Sequence, residues 1–280
     1  MINGATRLLV IVGDPVAHVR SPLIFNPLLA RMAHDAVLVP WHAPAPHFAT
    51  VMEGLMRTAN LDGIIVTFPF KERAHPLAHR VGPMAKRVGA INALRREADG
   101  DWVGEMFDGF GLVHAIEANG ERCAGRKVVL IGAGGAGSAI AFALADAGAA
   151  SLTIHDRNGE RAAALARRVG ASHQRIELAS GQFDLEAADL LINATPVGLN
   201  PRDGLPVPIQ RLRPEMTVID IVPASSPTPL LKMAQAAGCP HVGGTAMVEG
   251  QAETILAFFG MAAARDDRLG RDEGLQGSLQ

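Results

Sequence analysis

The stretch KVVLIGAGGAGSAIA at residues 127–141 constrains the fold of this chain more than any other segment. Its apolar run predicts a buried strand, its glycines a tight turn, and its alanine-rich part a helix. Gly132, Gly134 and Gly137 have the G-x-G-x-x-G spacing, with Gly135 between the last two. The first glycine bends the chain, the second admits a pyrophosphate, and the third lets helix and strand pack closely. Glycine-rich turns also occur for packing alone, but the flanking strand and helix favour a dinucleotide site.

The next apolar strand, at residues 151–155, leads directly into Asp156 and Arg157. Asp156 lies 24 residues beyond Gly132, where an acidic residue normally accepts hydrogen bonds from ribose hydroxyls and repels a 2′-phosphate. Arg157 has the opposite effect, because an arginine beside the ribose can bind that phosphate. Asp156 could instead cap the helix that begins near Gly159. We predict that NAD is preferred over NADP.

Composition and length indicate an ordinary globular protein of 280 residues, with 48% hydrophobic residues and a net charge of −2, enough for two domains. Cys123 and Cys239 are spaced neither as metal ligands nor as a disulfide framework, which is typical of a reducing compartment. Residues 1–7 lack the pattern of a signal peptide, and no run of about 18 apolar residues predicts a membrane span. We expect a cytoplasmic monomer or homodimer whose partner is a small molecule rather than nucleic acid or a membrane.

Strand and helix patterns alternate along the chain, which predicts an α/β fold with two domains. The predicted domains are a substrate domain, 1–107 plus 240–264, and a dinucleotide-binding domain, 108–239, with a polar tail at 265–280. The helical pattern at 246–259 has no evident partner in the second domain. We therefore expect it to pack against the first domain and to leave a cleft between the two, where substrates commonly bind.

Several polar residues follow predicted strands, at the sheet edge where open α/β sheets bind ligands. Thr67, Lys71, Asn92 and Asp108 lie at or just beyond such strand ends. A lysine and an aspartate there can exchange a proton while a nicotinamide exchanges a hydride. The alternatives are that Lys71 is a solvated surface lysine and that Asp108 only caps a helix.

The order of these motifs resembles the shikimate dehydrogenase family, including its quinate-using branch, over residues 8–260. The resemblance rests on GDPVAHVRSP at 13–22, VTFPFK at 66–71, GAINA at 89–93, GEMFDG at 104–109, GAGGAG at 132–137, NATPVG at 193–198 and MVEGQ at 247–251. It implies a Rossmann-type second domain and reversible oxidation of a ring hydroxyl, shikimate to 3-dehydroshikimate, with a nicotinamide cofactor.

The resemblance also implies roles by position. Lys71 and Asp108 match the catalytic pair of the family, and Asp156 stands where NADP-using members have asparagine, which again favours NAD. The remaining matches are substrate-binding Ser21, Thr67, Asn92 and Gln251, and Thr195 and Met247 beside the cofactor.

The substrate half departs from the family pattern at several polar positions. Val19, Ile65 and Ala93 replace a serine, an asparagine and a threonine, and the chain has no tyrosine where the family has one after residue 220. Losing two or three hydrogen bonds weakens binding by about two to three orders of magnitude. Met106 and Phe107 are also expected to occupy space near the ring. The substrate therefore stays open between shikimate, quinate and a less polar cyclic alcohol.

Two further interpretations stay open from the sequence. One alternative, suggested by the altered substrate positions, is a catalytically silent dinucleotide-binding regulator. The other is a different two-domain dehydrogenase that shares only the nucleotide half, although the ordered motifs of the first domain argue against it.

Overall fold

Two β-sheets with helices on their faces organise the residues that the computed structural model describes, which are 2–200, 202–224 and 226–262. The predicted tail at 265–280 lies outside the described residues. Each sheet has six strands within these ranges. The predicted two-domain α/β fold is confirmed.

The first sheet is mixed, with strand order β2-β1-β3-β5-β6-β4. β1 pairs in parallel with β2 and β3, whereas β5 runs antiparallel to both β3 and β6. β1 and β3 are central and almost wholly apolar, as strands covered on both faces must be. The strands are β1 (Arg7–Gly13), β2 (Ala36–His42), β3 (Leu61–Val66), β4 (Arg80–Val81), β5 (Ala93–Arg96) and β6 (Trp102–Glu105), and the helices are α1 (Ser21–Arg31), α2 (Phe48–Met56), α3 (Lys71–Ala74) and α4 (Pro83–Val88).

The second sheet is parallel throughout, with strand order β12-β11-β10-β7-β8-β9. The order reverses direction at β7, and the carboxyl edge beside such a switch point is where open sheets bind ligands. Its strands are β7 (Lys127–Ile131), β8 (Ser151–His155), β9 (Glu177–Ser180), β10 (Leu190–Asn193), β11 (Thr217–Asp220) and β12 (His241–Gly243), and its helices are α6 (Gly135–Asp146), α7 (Gly159–Ser172) and α8 (Pro229–Ala236).

Two helices, α5 (Asp108–Ala118) and α9 (Gly244–Phe258), lie against each other and join the two halves. They cross closely because glycines line the contact: a Cβ at Gly111 would lie 2.5 Å from the carbonyl oxygen of Met247. The end of α9 carries Ile255 and Leu256 into the apolar cluster beneath β1 and α1. The helix at 246–259 therefore packs against the first sheet, as predicted.

The strand β12 lies at the point where the predicted domain boundary falls. A boundary at residue 240 assigns this strand to the first domain, but it pairs in parallel with β11 in the second sheet. Three residues carry too little periodicity for sequence reasoning to find such a strand. Among the described residues, no helix has the length and apolar character required to cross a membrane.

Candidate active site

A cavity of about 560 Å3 lies between the two sheets, at the carboxyl ends of their central strands. Residues from both halves line it. All but one of the fourteen predicted site residues are among its lining, namely Ser21, Thr67, Lys71, Asn92, Asp108, Gly132, Gly134, Gly135, Asp156, Arg157, Thr195, Met247 and Gln251. The exception is Gly137, which lies behind the turn.

The glycine turn after β7 adopts a geometry that other residues would obstruct. Gly132 has φ +105°, in the left-handed region that favours glycine. A Cβ at Gly137 would lie 2.1 Å from the carbonyl oxygen of Gly132, so this residue serves helix-to-strand packing rather than ligand contact. Gly134 precedes α6 in an extended conformation, with no side chain capping the helix. The uncapped amides at the start of α6 therefore fit a pyrophosphate.

The same turn approaches the first half of the molecule. A Cβ at Gly135 would lie 3.1 Å from the Cβ of Lys71 and 3.3 Å from that of Ala90. The start of α6 therefore lies against the lysine that begins α3. A cofactor bound along this turn would therefore lie beside residues of the first half.

Lys71 and Asp108 form an ion pair in this cavity, although they are 37 positions apart in the sequence. The Lys71 side chain is 16% exposed and that of Asp108 is 3% exposed, so the carboxylate is enclosed while the ammonium still faces the cavity. The interpretation of Lys71 as a solvated surface lysine is therefore wrong. Asp108 begins α5, but its side chain does not cap that helix.

Asn92 and Gln251 complete a hydrogen-bonded network around Asp108. The Asn92 amide nitrogen donates to Asp108 Oδ1 at 2.9 Å and to Gln251 Oε1 at 2.7 Å, and its oxygen accepts the backbone N–H of Phe107. Both hydrogens of the Asn92 amide are thus used within the protein. The Gln251 amide oxygen accepts from Asn92, and the Gln251 amide nitrogen lies 3.4 Å from Asp108 Oδ1. The second N–H of the Gln251 amide is left for a ligand.

We call the part of the cavity around this network the substrate end. Apart from the network itself, its lining is mostly apolar. It is bordered by His18, Ser21 and Thr67 and by an apolar wall consisting of Ile11, Phe25, Ile65, Phe68, Val248 and Ile255. Burial lowers the pKa of His18, which favours the neutral imidazole.

Met106 and Phe107 do not occupy this space, contrary to prediction. Met106 is buried in the large core cluster, and Phe107 packs on Phe258 with ring centroids 5.3 Å apart. Neither lines the cavity. Met106 and Phe107 lie in the short segment between β6 and α5, where successive side chains point to opposite sides. The sequence alone did not show which of these sides would face the cavity.

The Asp156 carboxylate, just after β8, links its own turn to the glycine turn that follows β7. Its Oδ2 accepts the backbone N–H of Ala133 at 2.8 Å, and its Oδ1 accepts that of Asn158 at 2.9 Å. The cap of α7 is Asn158 rather than Asp156. Arg157 is exposed at the cavity and forms no ion pair with any residue in the described ranges.

Asp220 is a buried residue that the sequence analysis did not assign to the site. Its Oδ1 accepts from Asn193 at 3.0 Å and its Oδ2 from the Thr228 hydroxyl at 2.6 Å. Asn193 in turn accepts from the backbone and hydroxyl of Thr195. This network fixes the loop that borders the cavity next to the glycine turn, where a Cβ at Gly132 would lie 2.9 Å from the Ala194 carbonyl oxygen. The sequence signal that could have identified Asp220 is an aspartate at the carboxyl end of a predicted parallel strand.

Family models match both halves of the chain. A model described as the shikimate dehydrogenase substrate binding domain matches residues 11–94, and one described as shikimate / quinate 5-dehydrogenase matches residues 115–200. The chain belongs to the shikimate dehydrogenase family. It is therefore a nicotinamide-dependent oxidoreductase, as the resemblance implied.

Similar members of the shikimate dehydrogenase family cover nearly the whole chain. The shikimate dehydrogenase (NADP(+)) of Rubrobacter xylanophilus is 36% identical over 94% of this chain and 91% of its own. That of Acidiphilium cryptum is 37% identical over 97% of both. The structure of shikimate 5-dehydrogenase from Thermus thermophilus with NADP(H) and shikimate has a TM-score of 0.78 and 29% identity, over 91% of this chain and 93% of that one.

These members of the shikimate dehydrogenase family correct the predicted cofactor preference. The prediction that NAD is preferred over NADP is wrong, because both relatives are NADP(+) enzymes and the Thermus structure holds NADP(H). The acidic residue is not a sufficient signal for NAD, because its carboxylate also has a structural role in the turn. Each of its oxygens already accepts a backbone N–H of the turn, so it serves the fold of that turn.

Proposed function

We propose that this chain catalyses the NADP-linked interconversion of a ring hydroxyl and a ketone, of the shikimate to 3-dehydroshikimate type. The observation that carries the proposal is the ion pair of Lys71 with the enclosed Asp108, beside the glycine turn at the start of α6. A proton donor next to a dinucleotide site is the arrangement that hydride exchange with an alcohol requires.

The proton is handled by Lys71. A nicotinamide held along the glycine turn by Gly132, Gly134 and Gly135 would supply or accept the hydride at the ring carbon. In the direction of reduction, the Lys71 ammonium donates a proton to the ketone oxygen, which becomes the hydroxyl. In the direction of oxidation, the neutral amine takes that proton back and releases it to solvent, so the reaction converts alcohol and NADP+ to ketone, NADPH and a proton. Asp108 orients the lysine and accepts from the ring hydroxyls.

Three further side chains are proposed to hold the ring. Gln251 retains one N–H for a hydroxyl oxygen, and the hydroxyls of Ser21 and Thr67 border the same space. Asn92, whose amide hydrogens are both engaged, acts by orienting Asp108 and Gln251 rather than by contact through those hydrogens.

The cofactor is proposed to lie from the glycine turn to the loop at Thr195. Gly132, Gly134 and Gly135 offer backbone to the pyrophosphate, and Gly137 supports them from behind. At the two ends, Met247 borders the nicotinamide and Arg157 the adenosine phosphate.

The organisation of the whole chain is part of the proposal. We assign residues 1–107 and the helix α9 to the substrate domain, and we move its boundary from 240 to 244 because β12 belongs to the second sheet. A cytoplasmic location agrees with two buried, unpaired cysteines. The enzyme is predicted to be a monomer or a homodimer.

The substitution Lys71→Ala tests the proposal. It removes the proton donor while leaving the glycine turn intact, so we expect kcat to fall by about 100-fold or more with the dissociation constant of NADP+ unchanged. The measurement is absorbance of reduced nicotinamide with shikimate and quinate, beside a fluorescence titration of the cofactor. Lys86→Ala, an exposed lysine outside the cavity, is the matched control and should keep full activity.

Two outcomes would contradict the proposal. NADP+ binding without turnover of any ring alcohol by the unmodified chain would favour the silent regulator instead. Equal activity of the Lys71→Ala and Lys86→Ala variants would remove Lys71 from the chemistry.

A further inference from the structure

The substrate end of the cavity contains few polar groups that are free to bind a ligand. Asn92 uses both amide hydrogens, and Gln251 keeps one. The hydroxyls of Ser21 and Thr67 make no hydrogen bond to any side chain or backbone group in the described ranges, so they are available. These are single donors that also accept, and they suit hydroxyl groups.

The charges at this end balance one another. Lys71 is the cation there, and Asp108 neutralises it. His18 is half-buried, and burial lowers its pKa, which favours the neutral imidazole. Arg157 and Arg161 line the cavity beyond β8, at the cofactor end, and Arg20 does not line it. No unbalanced positive charge therefore faces the substrate among the described residues.

The rest of the substrate end is the apolar wall. Ile11, Phe25, Ile65 and Ile255 are each less than a tenth exposed and continue into the buried cluster beneath β1. A carboxylate needs several donors for its two oxygens, and burying it against apolar side chains is strongly unfavourable without them. A neutral substituent meets no such penalty.

We propose that the preferred substrate is a neutral ring polyol, or its ketone, with hydroxyls toward Asp108 and Gln251 and no ionised group against the apolar wall. The inference rests on the proposed function and specifies its substrate class. The chemistry is unchanged: a ring C–H gives up a hydride to NADP+, and its hydroxyl gives up a proton.

The first test compares shikimate with its methyl ester, which has the same ring hydroxyls but no charge. Initial rates of NADP+ reduction by the full chain give kcat/KM for each compound. We expect the ester to exceed shikimate by about tenfold or more, the effect of one unpaired charge-assisted hydrogen bond. A kcat/KM for shikimate equal to or above that of the ester would overturn the inference.

The second test changes the wall itself. Ile65 lines the cavity two residues before Thr67, so Ile65→Thr adds a hydroxyl donor where the wall is apolar. We expect the ratio of kcat/KM for shikimate to that for the ester to rise by about tenfold. Ile65→Val is the matched control and should leave the ratio unchanged. Because each ratio is taken within one variant, partial loss of folded protein does not affect it.

The failures of the two proposals differ. Turnover of shikimate above the ester, abolished by Lys71→Ala, would refute the neutral substrate and keep the proposed function. An unchanged ratio in the Ile65→Thr variant would refute the role of the wall. No turnover of shikimate, its ester or any other ring alcohol would refute both proposals.

Discussion

Asp220 is the residue whose burial has the clearest functional consequence outside the ion pair. Burial raises the pKa of Asp220, and hydrogen bonds from Thr228, the Val222 backbone and Asn193 only partly oppose this. The carboxylate accepts from Asn193, and Asn193 accepts from Thr195 at the edge of the cavity, where we propose that the cofactor binds. We therefore expect Asp220 to position the loop at Thr195 for the proposed cofactor.

We expect Asp220→Ala and Asp220→Asn to behave differently. Alanine leaves buried donors on Asn193 and Thr228 unpaired, so the free energy of unfolding should fall by about 1–3 kcal/mol and the KM of NADP+ should rise more than kcat falls. Asparagine keeps an acceptor oxygen, so the free energy of unfolding and the KM of NADP+ should stay close to those of the unmodified chain. Equal effects of the two substitutions would contradict the positioning role.

The pH dependence of the Asp220→Asn variant follows from the raised pKa. A carboxyl with a raised folded pKa contributes stability that is present below its unfolded pKa and is lost as pH rises through the folded value. The variant lacks this ionisation. Measured by urea unfolding, its stability relative to the unmodified chain should therefore increase from pH 4 toward pH 7.

Arg157 is the residue that should select the cofactor. It is exposed at the cavity without an ion-pair partner among the described residues, so its guanidinium is free for a 2′-phosphate. Arg157→Ala should raise the KM of NADP+ by about 10- to 100-fold and leave that of NAD+ nearly unchanged. Arg175→Ala, exposed and outside the cavity, serves as the control. An equal change for both cofactors would count against selection by Arg157.

The crossing of α5 with α9 is the element-scale feature on which the site depends. A Cβ at Gly111 would lie 2.5 Å from the Met247 carbonyl oxygen and 2.9 Å from the Gln251 Cβ. The close crossing brings Asp108, at the start of α5, to Gln251 on α9. Small residues at the contact thus determine the geometry of the network.

Gly111→Ala should separate these helices. We expect a loss of about 1–3 kcal/mol in the free energy of unfolding from overpacking, together with a lower kcat/KM because Gln251 is displaced. Gly54→Ala is the matched control: it lies within α2 with nothing within 4 Å of its added Cβ, so it should gain up to about 1 kcal/mol. Chemical unfolding and initial rates measure both quantities. A Gly111→Ala protein as stable as the Gly54→Ala protein would show that the crossing tolerates a methyl group.

At the scale of the whole molecule, the two halves are also joined by residues that do not line the cavity. Arg87 of α4 donates to both oxygens of Asp146 at the end of α6, at 2.9 and 3.0 Å. Arg168 of α7 donates to the carbonyl oxygens of Arg87 and Val88. Burial alone would raise the pKa of Asp146, but the hydrogen bonds from Arg87 and His173 outweigh it and lower the pKa.

Asp146→Asn should reduce the sensitivity of the molecule to acid. A lowered folded pKa gives stability that is present above the unfolded pKa, 3.8, and is lost as pH falls through the folded value. Because Asp146 is partly exposed, we expect the variant to lose at most about 1 kcal/mol near pH 7. Urea unfolding at pH 7 and below pH 4 should show the difference between variant and unmodified chain shrinking on acidification. A constant difference would exclude this pair as a source of acid sensitivity.

The sequence by itself determined the class of fold and predicted the residues of the candidate site. Apolar runs such as β7, the glycines that follow it, and the helical pattern of α9 are local signals, and each predicted its element within a few residues. The motifs carrying Lys71, Asp108, Asn92 and Gln251 were readable for the same reason. Short elements such as β12 were not found, because three residues show no periodicity.

The tertiary structure alone decided how those residues are used. Asn92 and Gln251 meet across 159 positions of sequence, and the hydrogen bonds between them determine which amide hydrogens remain for a substrate. The backbone amides that bind the Asp156 carboxylate, and the cores that take Met106 and Phe107 away from the cavity, are likewise set by packing. A residue's type limits which bonds it can form. Its partners depend on which distant segments the fold brings within about 3 Å, and local sequence does not encode that distance.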